Sequence, residues 1–226
     1  MVDTQPSAQK SVQKSVQKSA ERLRDAERTR ADLIEIATEI FSEQGYSGAR
    51  VDEIAERTRT TKRMIYYYFG GKEGLYLAVL EAAYRRIRER EQSLHADHLS
   101  PVEAVRRIAE LTFDHHHDHP AFIRLVSVEN IHHGQHLGKV ESLRDLGTPA
   151  ASLLDEVLAR GRASGELRAD VDAVDVHMMI SSYCVFQVAN SATFGFLFGR
   201  DMLAPDVRER HRRILGDIVV GWLTAR

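Results

Sequence analysis

The stretch ATEIFSEQGYSGARVDEIAERT at residues 37–58, followed by KRMIYYYFGGKEGLYLAVLEA at residues 62–82, decides how the chain folds. From Arg28 onward a helical period sets in, with Leu33, Ala37, Ile40 and Phe41 on one face. Arg30, Asp32, Glu35, Glu39 and Glu43 fall largely on the other, and this helix is expected to stop at Gly45. Val51, Ile54 and Ala55 are the inward positions of a short second helix reaching about Arg57. Thr58, Arg59 and Thr60 then turn the chain, and Thr61 stands where it can cap a third helix running to about Tyr68. The pair Gly70-Gly71 ends that helix, and a long fourth one begins near Lys72. Two short helices joined by a brief turn and braced by a preceding helix are the build of a helix-turn-helix.

A recognition helix has to bury one side and offer the other to a DNA major groove. Ile65 and Phe69, four residues apart, are spaced to be the buried side, which leaves Lys62, Arg63 and Tyr66 for DNA. The segment from Arg28 to Ala83 resembles the DNA-binding domain of the TetR family on these two stretches. The resemblance implies base-edge contacts from the first turn of the third helix, at Lys62, Arg63 and Met64, and from Tyr66, with Thr61 a further DNA-binding candidate. Arg63 has the fork geometry for bidentate contact to guanine. It also implies phosphate contacts from Tyr67 or Tyr68 and from Lys72 at the start of the fourth helix, where free backbone N–H groups face an anion. Arg50 is a further backbone candidate. The chain departs from the family pattern at Arg59 and Thr60, where Gly and Val are usual, and at Arg50, where a capping Ser or Thr is common.

Upstream, residues 1–27 contain the repeat SVQK-SVQK-SAER, which spaces Lys10, Lys14, Lys18 and Arg22 every four residues. They read as a flexible, basic arm. Downstream of Ser93 the pattern stays helical, with no strand-like alternation. Helices are expected from Pro101 to His119, from Ala121 to His133, from Pro149 to Ala163, from Asp172 to Thr193 and from Pro205 or Asp206 to Leu223. The expected fold is all-α with about nine helices: an N-terminal three-helix DNA-binding domain at residues 28–90, and a domain for effector binding and dimerisation at 91–226. In the resemblance the effector pocket lies inside the central helices and the last two long helices form a homodimer interface.

The composition, 43% hydrophobic and 28% charged with a net charge of −2 over 226 residues, is that of a soluble globular protein. Cys184 stands alone, so neither an intramolecular disulfide nor a thiolate metal cluster is expected. The N-terminus has no apolar core of a signal peptide, and a cytoplasmic location is expected. Val176 to Gly199 lacks formal charge but carries His177, Ser181, Ser182, Gln187, Asn190 and Ser191, which argue against a membrane span. No phosphate loop, nucleophile motif or HExxH pair points to an enzyme, and no cofactor is expected.

The remaining unusual feature is a histidine cluster. His115/His119 and His132/His136 stand at i,i+4, the spacing that places two imidazoles on one helix face. They are candidates, with Met178, Tyr183 and Phe186, for holding a small-molecule effector. No cysteine or carboxylate completes either pair at close spacing, so no metal site is assigned; a metal-responsive sensor is the alternative, and a helix-turn-helix activator is another. The expected partners are a double-stranded DNA operator, a small-molecule effector and a second copy of the chain.

Overall fold

The computed structural model describes residues 6–94 and 96–225, the side chains of residues 6–16, 18–20, 22–23, 92 and 144–151 lying outside the description. The side chains of Lys10, Lys14, Lys18 and Arg22, the expected basic arm, lie outside it, and only their backbone is described, as helix. Among the described residues there are ten α-helices and no strand. They are α1 Pro6–Gly48, α2 Val51–Arg57, α3 Lys62–Phe69, α4 Lys72–Gln92, α5 Pro101–Asp118, α6 Pro120–Ile131, α7 Ser142–Ser164, α8 Ala173–Ala189, α9 Ser191–Phe198 and α10 Pro205–Thr224. A 3-10 turn, Leu137–Lys139, lies between α6 and α7.

The chain makes two cores. The first gathers Leu33, Ile40 and Phe41 of α1, Ile54 of α2, Ile65 of α3, and Leu75, Tyr76 and Leu80 of α4. Leu125 of α6 belongs to the same cluster, so the N-terminal head is closed from behind by the body. The second packs Val105, Ile108 and Phe113 of α5 with Leu154 and Leu158 of α7, Val176, Ile180 and Cys184 of α8, and Leu215 and Val219 of α10. A small third cluster, Ile87, Phe122, Ile123 and Val188, joins α4, α6 and α8.

Local chemistry sets the element ends. Ser100 and Glu103 form a reciprocal capping box, the Glu103 amide donating to Ser100 Oγ at 3.3 Å and the Ser100 amide to Glu103 Oε2 at 3.1 Å, with Pro101 in the first turn of α5. Asp172 caps α8 by accepting from the Asp175 amide at 2.8 Å. Gly45 interrupts α1 with φ 69° and ψ 174°, and one further turn carries the assigned helix to Gly48. Between α3 and α4 the backbones come so close that a Cβ on Gly74 would lie 1.8 Å from the Phe69 carbonyl oxygen.

The count of ten rather than nine helices has a local cause. The apolar run from Asp172 was expected to continue to Thr193, but Asn190 leaves the helical region with φ −102° and ψ 7°, and α9 starts afresh at Ser191. α7 also begins earlier than Pro149, at Ser142. At the other end the helical period is legible from Arg28, yet α1 is helical from Pro6, since the preceding repeat contains no residue that breaks a helix.

Between α5 and α10 an ion-pair network adds to the apolar packing of the second core. Glu110, Asp114 and Asp118, one turn apart on α5, meet Arg208 and Arg212, one turn apart on α10. Arg212 bridges Glu110 and Asp114 at 2.9 Å each, and Arg208 reaches Asp114 at 3.3 Å and Asp118 at 2.8 Å. Shared partners lower the ordering cost per bridge, and the network fixes the N-terminal half of α10 on α5.

Candidate nucleic-acid interface and effector cleft

α3 is amphipathic over eight residues. Ile65 is fully buried, whereas Tyr66 and Tyr67 are 51% and 77% exposed, so neither tyrosine belongs to the core. Arg63 is exposed and has no ion-pair partner among the described residues. Lys62 is exposed as well and meets Asp52 of α2 at 3.2 Å, a pairing worth little in water and easily exchanged for a phosphate. Met64 is half-buried. Tyr68 is half-buried too and packs edge-on against Tyr67 with ring centres 5.1 Å apart. Thr61 takes the N-cap position with φ −112° and ψ 149°, but its side chain makes no capping bond, and Arg50 at the N-cap of α2 makes none either.

The turn before α3 adopts the geometry that its residues disfavour. Arg59 has φ 52°, with its amide donating to the Glu56 carbonyl at 3.0 Å and the Thr60 amide to the Ala55 carbonyl at 2.9 Å. These bonds hold a left-handed residue in place without glycine. Lys72, in the first turn of α4, extends its Nζ to the Ser47 carbonyl at 3.4 Å and over the Tyr46 ring at 4.8 Å, and partial burial lowers its pKa. Thus Arg50, Thr61, Lys62, Arg63, Tyr66, Tyr67 and Lys72 occur in or beside one helix-turn-helix, with Met64 and Tyr68 behind them.

Tyr46 continues inward to a buried polar cluster. Its ring meets that of His136 at 4.5 Å, and His136 meets Tyr76 at 4.9 Å. Glu129 of α6 is buried and accepts from Tyr76 Oη and His136 Nδ1 at 2.9 Å each, and from the His136 and Leu137 amides at 3.2 Å. Burial alone raises a carboxyl pKa, but here the hydrogen bonds from Tyr76, His136 and the two amides hold Glu129 below the ordinary value. The same burial, with the Glu129 carboxylate beside it, raises the Tyr76 phenol. Lys139 pairs with Glu73 nearby, adding a surface tie between the head and the loop after α6.

The two histidine pairs have different fates. His115 and His119 come together, their rings stacked with centres 4.3 Å apart and His119 Nδ1 2.9 Å from the His115 carbonyl. Burial, and then the neighbouring His119, His116 and Arg86, push His115 down to about 3. Burial likewise pushes His116 down to about 4. Both rings are neutral at pH 7. The pair His132/His136 is not formed, contrary to the expectation. α6 ends at Ile131 and the chain turns through left-handed His133 and Gly134, leaving His132 exposed while His136 is carried into the Glu129 cluster. Among the described residues no three or more His, Cys, Asp or Glu side chains are placed to hold a metal ion.

Met178, Tyr183 and Phe186 all lie on α8. Met178 and Phe186 are exposed on α8, alongside exposed Ile214 and Ile218 on α10. Tyr183 Oη and Gln187 Nε2 lie 2.6 and 2.9 Å from His211 Nδ1 between α8 and α10. Between the central helices, side chains of α5, α7, α8 and α10 pack into the second core.

A cavity of about 610 Å³ lies instead between α1 and the helices α4, α5 and α6. Ile34, Ala83 and Phe122 give it an apolar floor, and His115, His119, Arg86, Arg124 and Arg30 are among its polar groups. A second cavity of about 450 Å³ shares Arg86, His115, Asp118 and His119. Of these groups, periodicity and spacing pointed only to the two histidines. Arg86 and Arg124 look like ordinary helix-surface charges until tertiary packing faces them toward α1.

Two family models match the chain: residues 33–79 match the model of bacterial regulatory proteins of the tetR family, and residues 101–219 match a tetracyclin repressor-like C-terminal domain. The HTH-type transcriptional repressor NicS of Pseudomonas putida is 31% identical over 202 residues, covering 89% of this chain and 95% of that protein. Among solved structures, the Streptomyces coelicolor transcriptional regulator SCO4942 superposes with a TM-score of 0.65 at 28% identity, covering 86% of this chain and 98% of its own. The Bacillus subtilis regulator FadR in complex with stearoyl-CoA also reaches a TM-score of 0.65, at 18% identity and 85% and 98% coverage, and shares the fold. Among the described residues, no helix is long and apolar enough to cross a membrane.

Proposed function

The chain belongs to the TetR family and is a DNA-binding transcriptional regulator, and we propose that it acts as a cytoplasmic, homodimeric repressor that leaves a pseudo-palindromic operator when a small molecule binds. The observation carrying the reading is the outer face of α3. Arg63, Tyr66 and Tyr67 stand exposed on a helix whose inner face is anchored by fully buried Ile65. Arg63 reads a guanine edge, Lys62 exchanges Asp52 for DNA, and Thr61, Met64 and Tyr66 complete the base-edge side. Tyr67, Tyr68, Arg50 and Lys72 hold phosphates and fix the register.

Two such helices on a two-fold dimer meet successive major grooves about 34 Å apart. The apolar residues that α8 and α10 leave in solvent, Met178, Phe186, Ile214 and Ile218, supply the dimer surface. The division of labour is regulation by binding, with no turnover. Mobility-shift titration of operator-containing fragments tests the DNA half of the reading. Arg63→Ala should lose about 1–3 kcal/mol and relax the preference at one base pair, while Lys72→Ala weakens all sequences alike and reduces the salt slope by about one. Binding by the unmodified protein that ignores sequence altogether overturns it.

A further inference from the structure

We propose that the cleft between α1 and α4–α6 is the effector site, and that its ligand is a small amphoteric molecule with a carboxylate at one end and a protonated amine at the other. The inference rests on the regulator reading above and specifies where and by what chemistry it is switched. The cavity of about 610 Å³ is in the range of sites that enclose a metabolite-sized ligand. Its two walls differ in net charge: Asp118 on the body side is held by Arg208, and Arg30 is outnumbered on the α1 side by Glu27, Glu35, Glu39 and Glu43. On the body side, Arg86 of α4 and Arg124 of α6 are exposed and have no hydrogen-bond or ion-pair partner among the described residues, and the stacked His115 and His119 lie beside them. On the α1 side, Glu35, Glu39 and Glu43 stand at successive turns. Glu39 is engaged by Arg57, whereas Glu35 and Glu43 have no partner among the described residues.

A plain anion satisfies the guanidiniums but meets the carboxylates across the cleft, and a plain cation meets the reverse. An amphoteric ligand satisfies both walls, with its apolar body over Ile34 and Phe122. The stacked His115 and His119 rings present nitrogens able to donate or accept a hydrogen bond. Such a ligand ties α1 of the head to α5 and α6 of the body. The cleft residue Arg30 lies over the Phe69 ring at the end of α3, 5.3 Å from its centre, so a change at this wall is one side chain from the recognition helix.

The test uses the full chain and three probes of matched shape: 4-(aminomethyl)benzoate, 4-methylbenzoate and 4-methylbenzylamine. Calorimetric titration should give the amphoteric probe at least tenfold tighter binding than either singly charged one. The double substitution R86Q with R124Q, and separately E35Q with E43Q, should each cost that probe at least tenfold. Thermal melts without probe verify that each variant is folded, and single substitutions replace any double that is not. Operator release, followed by fluorescence anisotropy, should track the same order of probes. Equal binding of all three, no binding of the amphoteric probe, or binding that survives both doubles overturns the proposal. Operator binding measured without probe is a separate result, so a failed cleft with an intact sequence-specific complex leaves the regulator reading standing, and the absence of that complex sinks the regulator reading itself.

Discussion

Arg59 is the residue on which the helix-turn-helix departs furthest from what its backbone asks. Its φ of 52° puts a Cβ against the following carbonyl, at a cost of about 1–2 kcal/mol relative to glycine. Arg59→Gly should therefore raise stability by up to about 1 kcal/mol once glycine's greater unfolded entropy is deducted, read as a higher urea midpoint with unchanged slope. A lower midpoint overturns the strain argument. The left-handed turn was legible in the sequence because a family pattern marks the position. At His133 the end of the helix was legible but the direction of the exit was not, since Gly134 in HHGQH marks a stop without saying where the chain goes next. The reversal through His133 and Gly134 separates His132 from His136. It converts an apparent ligand pair into one solvent-exposed ring and one buried hydrogen-bond partner of Glu129.

α5 shows what an element adds to its residues. Its HHHDH end reads as a polar tip, but α6 folds back over it and Phe122 packs edge-on against both His115 and His116, burying them. Their folded-state pKa values of about 3 and about 4 lie below an unfolded value of about 6.5. The sign follows from proton uptake. Above about pH 6.5 neither state is protonated and these rings leave stability independent of pH; as pH falls below that value the unfolded chain takes up protons first, and stability is lost down to the folded pKa values. Each ring contributes a slope of up to about 1.4 kcal/mol per pH unit in that window. Urea melts from pH 7 to 5 should show the decline, and His116→Asn should make it shallower; an unaltered slope in that variant overturns the assignment. The first three helices beyond α1 were legible from period and from the Gly70-Gly71 stop because these signals are local. The break between α8 and α9 was not, because an uninterrupted apolar run gives no sign of where Asn190 leaves the helix.

At the scale of the whole molecule, Met178 and Phe186 of α8 and Ile214 and Ile218 of α10 stand exposed, and in the proposed homodimer a second copy covers them by two-fold symmetry. Phe186→Glu combined with Ile218→Glu should give a monomer in light scattering and lower operator affinity by more than about tenfold, or 1.4 kcal/mol. A dimer that persists moves the interface elsewhere, and the exposed Phe196, Leu197 and Phe198 of α9 are the next surface to change. The all-helical plan and the buried and exposed sides of α3 were readable from one sequence, whereas the cleft was not, since it exists only where distant helices meet. The head, too, depends on such meetings: Leu125 completes its core, and Tyr76 hands its hydroxyl to Glu129 across the boundary. Regulators of this kind invite grafting, in which the reading head of one is spliced to the sensor of another to rewire a circuit. Here the splice has to carry a hydroxyl to meet Glu129 and a surface cut for Leu125, or the hybrid is left with an uncovered core and a carboxylate short of a donor. The tradable unit is the head together with the sixth helix.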